Sequence, residues 1–308
     1  MSEAKYLFGP VPSRRMGLSL GVSPIPKKTC NYSCVYCQLG RTDKMTNTRK
    51  EFFPLEDILT EFDAHLQSGI EQDVVTIVGE GEPTLYSRLG ELIDALHERT
   101  DKPIVVITNA ALMYDPQVRA DLMKADIVLP SMDACTPESF KKVDRPFGTI
   151  DYDAVVEGLI TFSHEYQGKL YLEIMLIDGY NDSTADLEGF KEMLGKLRYD
   201  RLYLNTAVRP PAEADVNACS KEKMAQAVEM LGGISIDMLA EGGFSSDITD
   251  DYEAILSIIG RHPMNQHEIQ SFLANRNNND SESIFERLNQ NDKVERQDYK
   301  GYITYRLR

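Results

Sequence analysis

Six short β-branched and aliphatic runs, set apart by amphipathic stretches, constrain the fold of this chain more than any other feature. Leu18–Ser23, Val74–Val78, Ile104–Thr108, Ile127–Ser131, Leu170–Ile177 and Leu202–Thr206 have the length and composition of buried strands. Between them, Leu55–Leu66, Leu89–His97, Pro116–Met123, Tyr152–His164 and Leu187–Leu197 carry apolar residues at helical spacing. Lys221–Leu231 continues the series. Strict alternation predicts parallel βαβ units. Six units are too few for an eight-fold barrel, so the expected fold is α/β, a partial (β/α)6 TIM-type barrel. A chain of 308 residues has room for that domain and a small appendage.

Such sheets gather function at the C-terminal ends of their strands. All six runs end in polar groups. Run one leads into a cysteine loop, run two into Gly79-Glu-Gly-Glu-Pro-Thr84, run three into Thr108-Asn109 and run four into Ser131-Met-Asp133. Glu173 interrupts run five, and run six ends at Asn205-Thr206 before Arg209-Pro-Pro-Ala-Glu213. A purely structural barrel has no reason to place polar residues at one end six times over.

The cysteine loop is the chemically sharpest segment. Cys30, Cys34 and Cys37 form a CxxxCxxC pattern with Tyr36 inside the last spacer. Three close thiolates can hold three irons of a [4Fe–4S] cube and leave the fourth open to a small molecule. They could also bind structural zinc with a distant fourth ligand, although zinc sites usually pair their ligands and no histidine precedes His65.

With GxGEP at Gly79–Pro83 and Thr108-Asn109, this loop resembles that of the radical S-adenosylmethionine (radical SAM) superfamily. The resemblance implies an enzyme in which Cys30, Cys34 and Cys37 hold a [4Fe–4S] cluster. The cluster reductively cleaves S-adenosylmethionine to a 5′-deoxyadenosyl radical that abstracts hydrogen from substrate. It also implies cofactor contacts at Tyr36, Gly81, Glu82, Asn109, Ser131 and Asp133, with Glu82 receiving the cofactor's ammonium. Asp133, Cys135, Glu173 and Arg209 are candidates for catalysis or substrate contact. Ala110 stands where the family often has glycine, which leaves the turn after Asn109 open. The lead Gly9–Gly21 and the Arg209–Glu213 segment are similar to a prokaryotic group related to wyosine-type tRNA synthases. The second cluster cysteine set of those synthases is absent here, so their reaction is not carried over.

Charge is uneven. Residues 1–50 hold nine Lys/Arg against two Asp/Glu, while the whole chain carries −16. A basic rim around the cysteines could attract a phosphate-bearing substrate or an acidic electron donor such as ferredoxin or flavodoxin. Solvated side chains balanced by distant acids are the alternative. No apolar run is long enough to cross a membrane and no signal-type core opens the chain. An odd count of five cysteines does not make a disulfide framework, so a reducing, cytoplasmic setting is expected.

The tail changes character. Tyr252–Ile259, Asn265–Leu273 and Ser281–Asn289 read as helices, the last with Asp280 as N-cap. Lys293–Gln297 and Tyr302–Leu307 read as a hairpin turning at Lys300-Gly301, and Asn275–Asp280 as a polar loop. The expected division is a barrel over residues 1–245 and a small C-terminal winged-helix-like domain over 246–308. Residues 250–308 hold eight basic and ten acidic side chains, an acidic balance for a nucleic-acid reader. RNA modification is the leading reading. Radical modification or activation of a peptide or protein is the second, and a non-enzymatic zinc-stabilised nucleic-acid-binding protein the third.

Overall fold

The structure, a computed structural model, describes residues 5–236, 244, 246, 248–278, 280–299 and 302–307. The six expected strands are all present as β2 (Gly17–Val22), β3 (Val74–Ile77), β4 (Ile104–Thr108), β5 (Ile127–Pro130), β6 (Lys169–Leu176) and β7 (Arg201–Thr206). They pair in parallel in chain order, and a two-residue β8 (Ile234–Ser235) adds to β7. The longest strand that was not expected is β1 (Leu7–Ser13), which lies antiparallel on the outer edge of β2. It contains Gly9, Pro10 and Pro12, which disfavour strands, but an edge strand tolerates proline because its outward N–H groups need no partner.

Helices α1 (Leu55–Ser68), α2 (Leu89–His97), α3 (Pro116–Leu122), α4 (Pro137–Val143), α5 (Tyr152–Glu165), α6 (Thr184–Leu194) and α7 (Lys221–Leu231) connect or follow the strands. Only α4 was missed by periodicity. It is a seven-residue helix started by a Thr136–Ser139 capping box with Pro137 in its first turn.

Strand alternation sorts the side chains. Val75, Ile77, Ile104, Val106, Val128, Leu172, Leu202 and Leu204 face the helices and form the main core with Ile58, Phe62, Leu92 and Phe162. Their neighbours Val74, Val105, Ile107, Ile127, Leu129, Tyr171 and Tyr203 pack on the other face. The same period of two carries Thr76, Asn109, Ser131, Glu173 and Asn205 to that inner face, at or just beyond the strand ends. The sheet curves strongly. Arg15, in the turn before β2, pairs with Glu173 on β6. Those strands would lie about 19 Å apart in a flat sheet with strands ~4.8 Å apart.

The tail forms α8 (Asp251–Ile259), β9 (Met264–Asn265), α9 (Gln266–Asn275), α10 (Ser281–Gln290), β10 (Val294–Tyr299) and β11 (Tyr302–Leu307). The last two strands make the expected hairpin, and β9 pairs on the other side of β11. Asp280 caps α10 through Ser283 N at 3.2 Å. The Lys300-Gly301 turn lies outside the described residues, as does the expected 245/246 division. The tail has its own apolar core of Ile255, Ile258, Ile269, Phe272 and Leu288, which also takes in Val11 of β1. Among the described residues no helix is long and apolar enough to cross a membrane.

Candidate active site

The strand ends enclose a cavity of about 420 Å³. Cys30, Cys34, Cys37, Tyr36, Gly81, Glu82, Asn109, Ser131, Glu173, Asn205 and Arg209 all line it, so eleven residues spread over 180 positions converge. The cysteine loop is tied down on two sides. Val35 N donates to Val143 O at 2.9 Å and Ser33 N to Asp144 O at 3.0 Å, docking the loop on the end of α4. Glu82 N donates to Thr29 O at 3.2 Å, docking it on the GxGEP turn. A Cβ on Gly81 would overlap that Thr29 carbonyl, so glycine is required for the two loops to touch.

All three thiols are unpaired and half-buried. Burial pushes each of them above the ordinary thiol range. Tyr32 N lies 3.4 Å and Asn109 Nδ2 3.7 Å from Cys30 Sγ, donors suited to a thiolate. Cys34 Sγ faces Asp144 Oδ1 at 3.7 Å. Among the described residues no three His, Cys, Asp or Glu side chains converge on a single metal ion. Three unpaired thiols that line one cavity are a ligand set suited to a [4Fe–4S] cluster.

Glu82 is 2% exposed and accepts four hydrogen bonds. Oε1 accepts from Thr84 N (2.9 Å), Thr84 Oγ1 (2.5 Å) and Thr108 Oγ1 (2.6 Å), and Oε2 accepts from Asn109 N (2.8 Å). Burial raises its pKa and these donors hold the rise in check. Its visible work is to clamp the GxGEP turn to the end of β4; Oε2, with one protein donor, has the capacity for another. Asn109 extends the clamp through Nδ2 to Asn31 Oδ1 at 2.8 Å. The open question at Ala110 has an answer: the residue adopts φ 62°, so the left-handed turn forms without glycine. Ala110→Gly is therefore expected to change stability by no more than about 0.5 kcal/mol, because relief of the left-handed strain is offset by glycine's chain entropy and the loss of a buried methyl, as chemical unfolding would show.

Asp133 lies just off the cavity. Its Oδ1 accepts from Met175 N at 2.7 Å and Oδ2 from the Tyr36 hydroxyl. Burial pushes its pKa up to about 6 against both donors. Tyr36 is thus fixed at its hydroxyl end by the strand-five carboxylate. Ser131 bridges to Glu173 in the sheet and donates its N–H to Thr108 O at 3.0 Å. Glu173 pairs with Arg15, with Asn205 Nδ2 3.5 Å from Oε1. Arg209 lines the cavity from the segment after β7 and donates to Pro263 O and to Glu268 at 3.1 Å.

Cys135 is not brought to the site. It lines none of these walls, and it packs against Gly189 of α6, with burial raising its thiol pKa. Sequence reasoning missed Arg15, Asp144 and His262. Arg15 was visible only as one of a basic block. Part of that block is balanced in space: Arg15 pairs with Glu173, Arg49 with Asp121, and Arg41 with Glu213, which also takes Arg145 from outside the block.

A curved, mostly parallel α/β sheet with three unpaired thiols and its polar side chains collected at one end is the build of an enzyme that keeps a cofactor at its strand ends. Residues 25–190, more than half of the chain, match the Radical SAM superfamily, and the chain belongs to it. It is 34% identical to a UPF0026 protein of Methanocaldococcus jannaschii across 97% of this chain and 94% of that protein. A Brachyspira hyodysenteriae protein named GTPase Obg is 34% identical over 98% of this chain, which spans 45% of that longer relative. No GxxxxGK[ST] phosphate loop occurs in the present sequence. An S-adenosyl-L-methionine-dependent tRNA 4-demethylwyosine synthase of Oryza sativa subsp. japonica is 26% identical over 55% of this chain and 28% of that protein.

Two solved structures share the fold. A radical SAM methyltransferase from Sphaerobacter thermophilus superimposes with a TM-score of 0.54 at 17% identity, covering 71% of this chain and 68% of that one. TYW1 with a lysine-pyruvate adduct bound gives 0.52 at 18%, covering 70% and 74%. The protein is accordingly an enzyme of the superfamily, with a [4Fe–4S] cluster and S-adenosylmethionine as cofactors.

Proposed function

We propose that Cys30, Cys34 and Cys37 hold the cluster and that the protein modifies RNA. The observation that carries this is the single cavity shared by the three thiols, the Glu82–Asn109 clamp and the inward polar residues of β5, β6 and β7. Bound there, the cluster and S-adenosylmethionine supply a 5′-deoxyadenosyl radical. Tyr36, Gly81, Glu82, Asn109, Ser131 and Asp133 would orient the cofactor, directly or by fixing the loops around it. Glu173, held by Arg15 and Asn205, would face the substrate, and Arg209 would hold the cap above it. Cys135 has no part in this assignment.

Residues 1–245 act as a partial (β/α)6 barrel and 246–308 as a winged-helix-like cap, a reading supported by three helices followed by a hairpin. RNA is favoured by the resemblance to a relative named for tRNA. A cavity of about 420 Å³ is of the size that single small ligands occupy, ~300–1,000 Å³, and far too small for a duplex. The target base would leave its stack. The electron comes from a ferredoxin- or flavodoxin-type donor in a reducing cytoplasm.

Bulk tRNA from cells with and without the protein tests the substrate. Loss of one modified nucleoside on deletion, restored by the intact gene but not by a Cys30→Ala copy, is the expected result. An unchanged nucleoside profile sinks the RNA assignment. It would favour a peptide substrate, for which β10, at the edge of its three-stranded sheet, offers a row of backbone groups to an extended segment.

A further inference from the structure

We propose that His262, Arg15 and Arg209, which meet where the C-terminal unit covers the barrel mouth, bind an anionic oxygen group of the substrate, a carboxylate or a phosphate. This rests on the radical SAM reading only in taking the cavity to be the substrate's chamber.

His262 follows α8 and lines the same cavity as the three thiols, together with Arg14, Arg15 and Arg209. Its position is fixed: the backbone N–H donates to Ile258 O at 2.7 Å, and the ring packs at 5.4 Å from Phe244. Its ring nitrogens have no hydrogen-bond partner among the described residues. His97 and His164, by contrast, each meet a carbonyl, Lys124 O at 3.2 Å and Lys196 O at 3.0 Å. The His262 imidazole thus brings an unused donor and acceptor to the wall of a cavity.

The charged groups around it come from every neighbouring element. Arg14 and Arg15 come from the β1–β2 turn and Arg209 from the segment after β7. Arg15 is paired with Glu173, Arg209 with Glu268, and the adjacent Arg261 with Glu80. The Arg15 guanidinium, with five N–H groups, makes one hydrogen bond among the described residues, to Glu173. Burial drives the His262 pKa well below the ordinary imidazole range, and Arg209, Arg15 and Arg14 push it the same way. The imidazole is therefore held neutral beside the guanidinium groups of Arg209, Arg15 and Arg14. An entering anion would take N–H donors from both sides and offset their charge, drawing a proton onto His262. A neutral or cationic group would gain neither.

The test follows the His262 ring by NMR in the full-length chain, with its signal among five histidines identified by loss in His262→Gln. Inorganic phosphate and succinate are titrated separately. The expected result is a saturable shift of that signal, with its titration midpoint raised by about one pH unit or more on binding. Arg209→Gln should weaken the response roughly tenfold, the ~1.4 kcal/mol scale of a charge-assisted bond. A response to phosphate alone identifies a phosphate-bearing substrate. A response to succinate alone identifies a carboxylate, and a response to both upholds the shared chemistry. No movement of His262 with either anion overturns the inference, whatever the variant does. The radical reading is judged separately, by 5′-deoxyadenosine release from reconstituted, dithionite-reduced protein, so the two can fail independently.

Discussion

Cys34→Ser is expected to leave a folded protein that holds no stable [4Fe–4S] cluster and releases no 5′-deoxyadenosine above background. The thiol is half-buried and faces Asp144 Oδ1 at 3.7 Å. A hydroxyl keeps that donor, so the thermal midpoint should move by only about 3 °C, the effect of ~1 kcal/mol in a chain of this size. Serine is a poor iron ligand, and with two thiolates left the cube loses a corner. Activity should fall by on the order of 10³-fold or more, given that enzymatic accelerations begin near ~10⁶. Cys219→Ala is the control, because Cys219 belongs to the main apolar core rather than the cavity wall, and it should keep its iron. Iron and sulfide analysis with the visible spectrum decides the matter. A Cys34→Ser protein with full iron and full 5′-deoxyadenosine release would remove this residue from the ligand set.

Gly81→Ala should damage the fold and the site together. The added methyl has nowhere to go, since it meets the backbone of Thr29 rather than a side chain that could rotate. The GxGEP turn and the cysteine loop must part, breaking the bond from Glu82 N to Thr29 O. A loss of about 2–3 kcal/mol is expected, in the range of overpacked interiors, with a fall of ~5 °C or more in thermal midpoint. Iron occupancy should drop as well, because the displaced loop carries Cys30. Gly148→Ala, at a position with open space around it, should do neither. Differential scanning calorimetry and iron content measured on both variants would expose an error if Gly81→Ala behaved like Gly148→Ala.

Much of the site was legible because its signals are local. A period of two within each run carries Ser131, Glu173 and Asn205 to one face, and cysteine spacing is a property of eight consecutive residues. What pairs with these groups was not legible. Glu173 finds Arg15 158 positions earlier, and only sheet curvature brings them together. Glu82 looked like a free carboxylate for a ligand, but the hydroxyls of Thr84 and Thr108 claim much of it, which depends on a turn and a strand end meeting. Ala110 shows a limit of another kind, since a non-glycine residue can hold a left-handed turn when the surrounding contacts enforce it. Cys135 misled because nearness in sequence to Asp133 says little at a helix start, where the chain turns and the thiol swings toward α6.

Val11 belongs to the apolar core of the C-terminal unit although it lies on the first strand. The first strand and the C-terminal unit therefore share one interior, and loosening either loosens the wall that both give to the cavity.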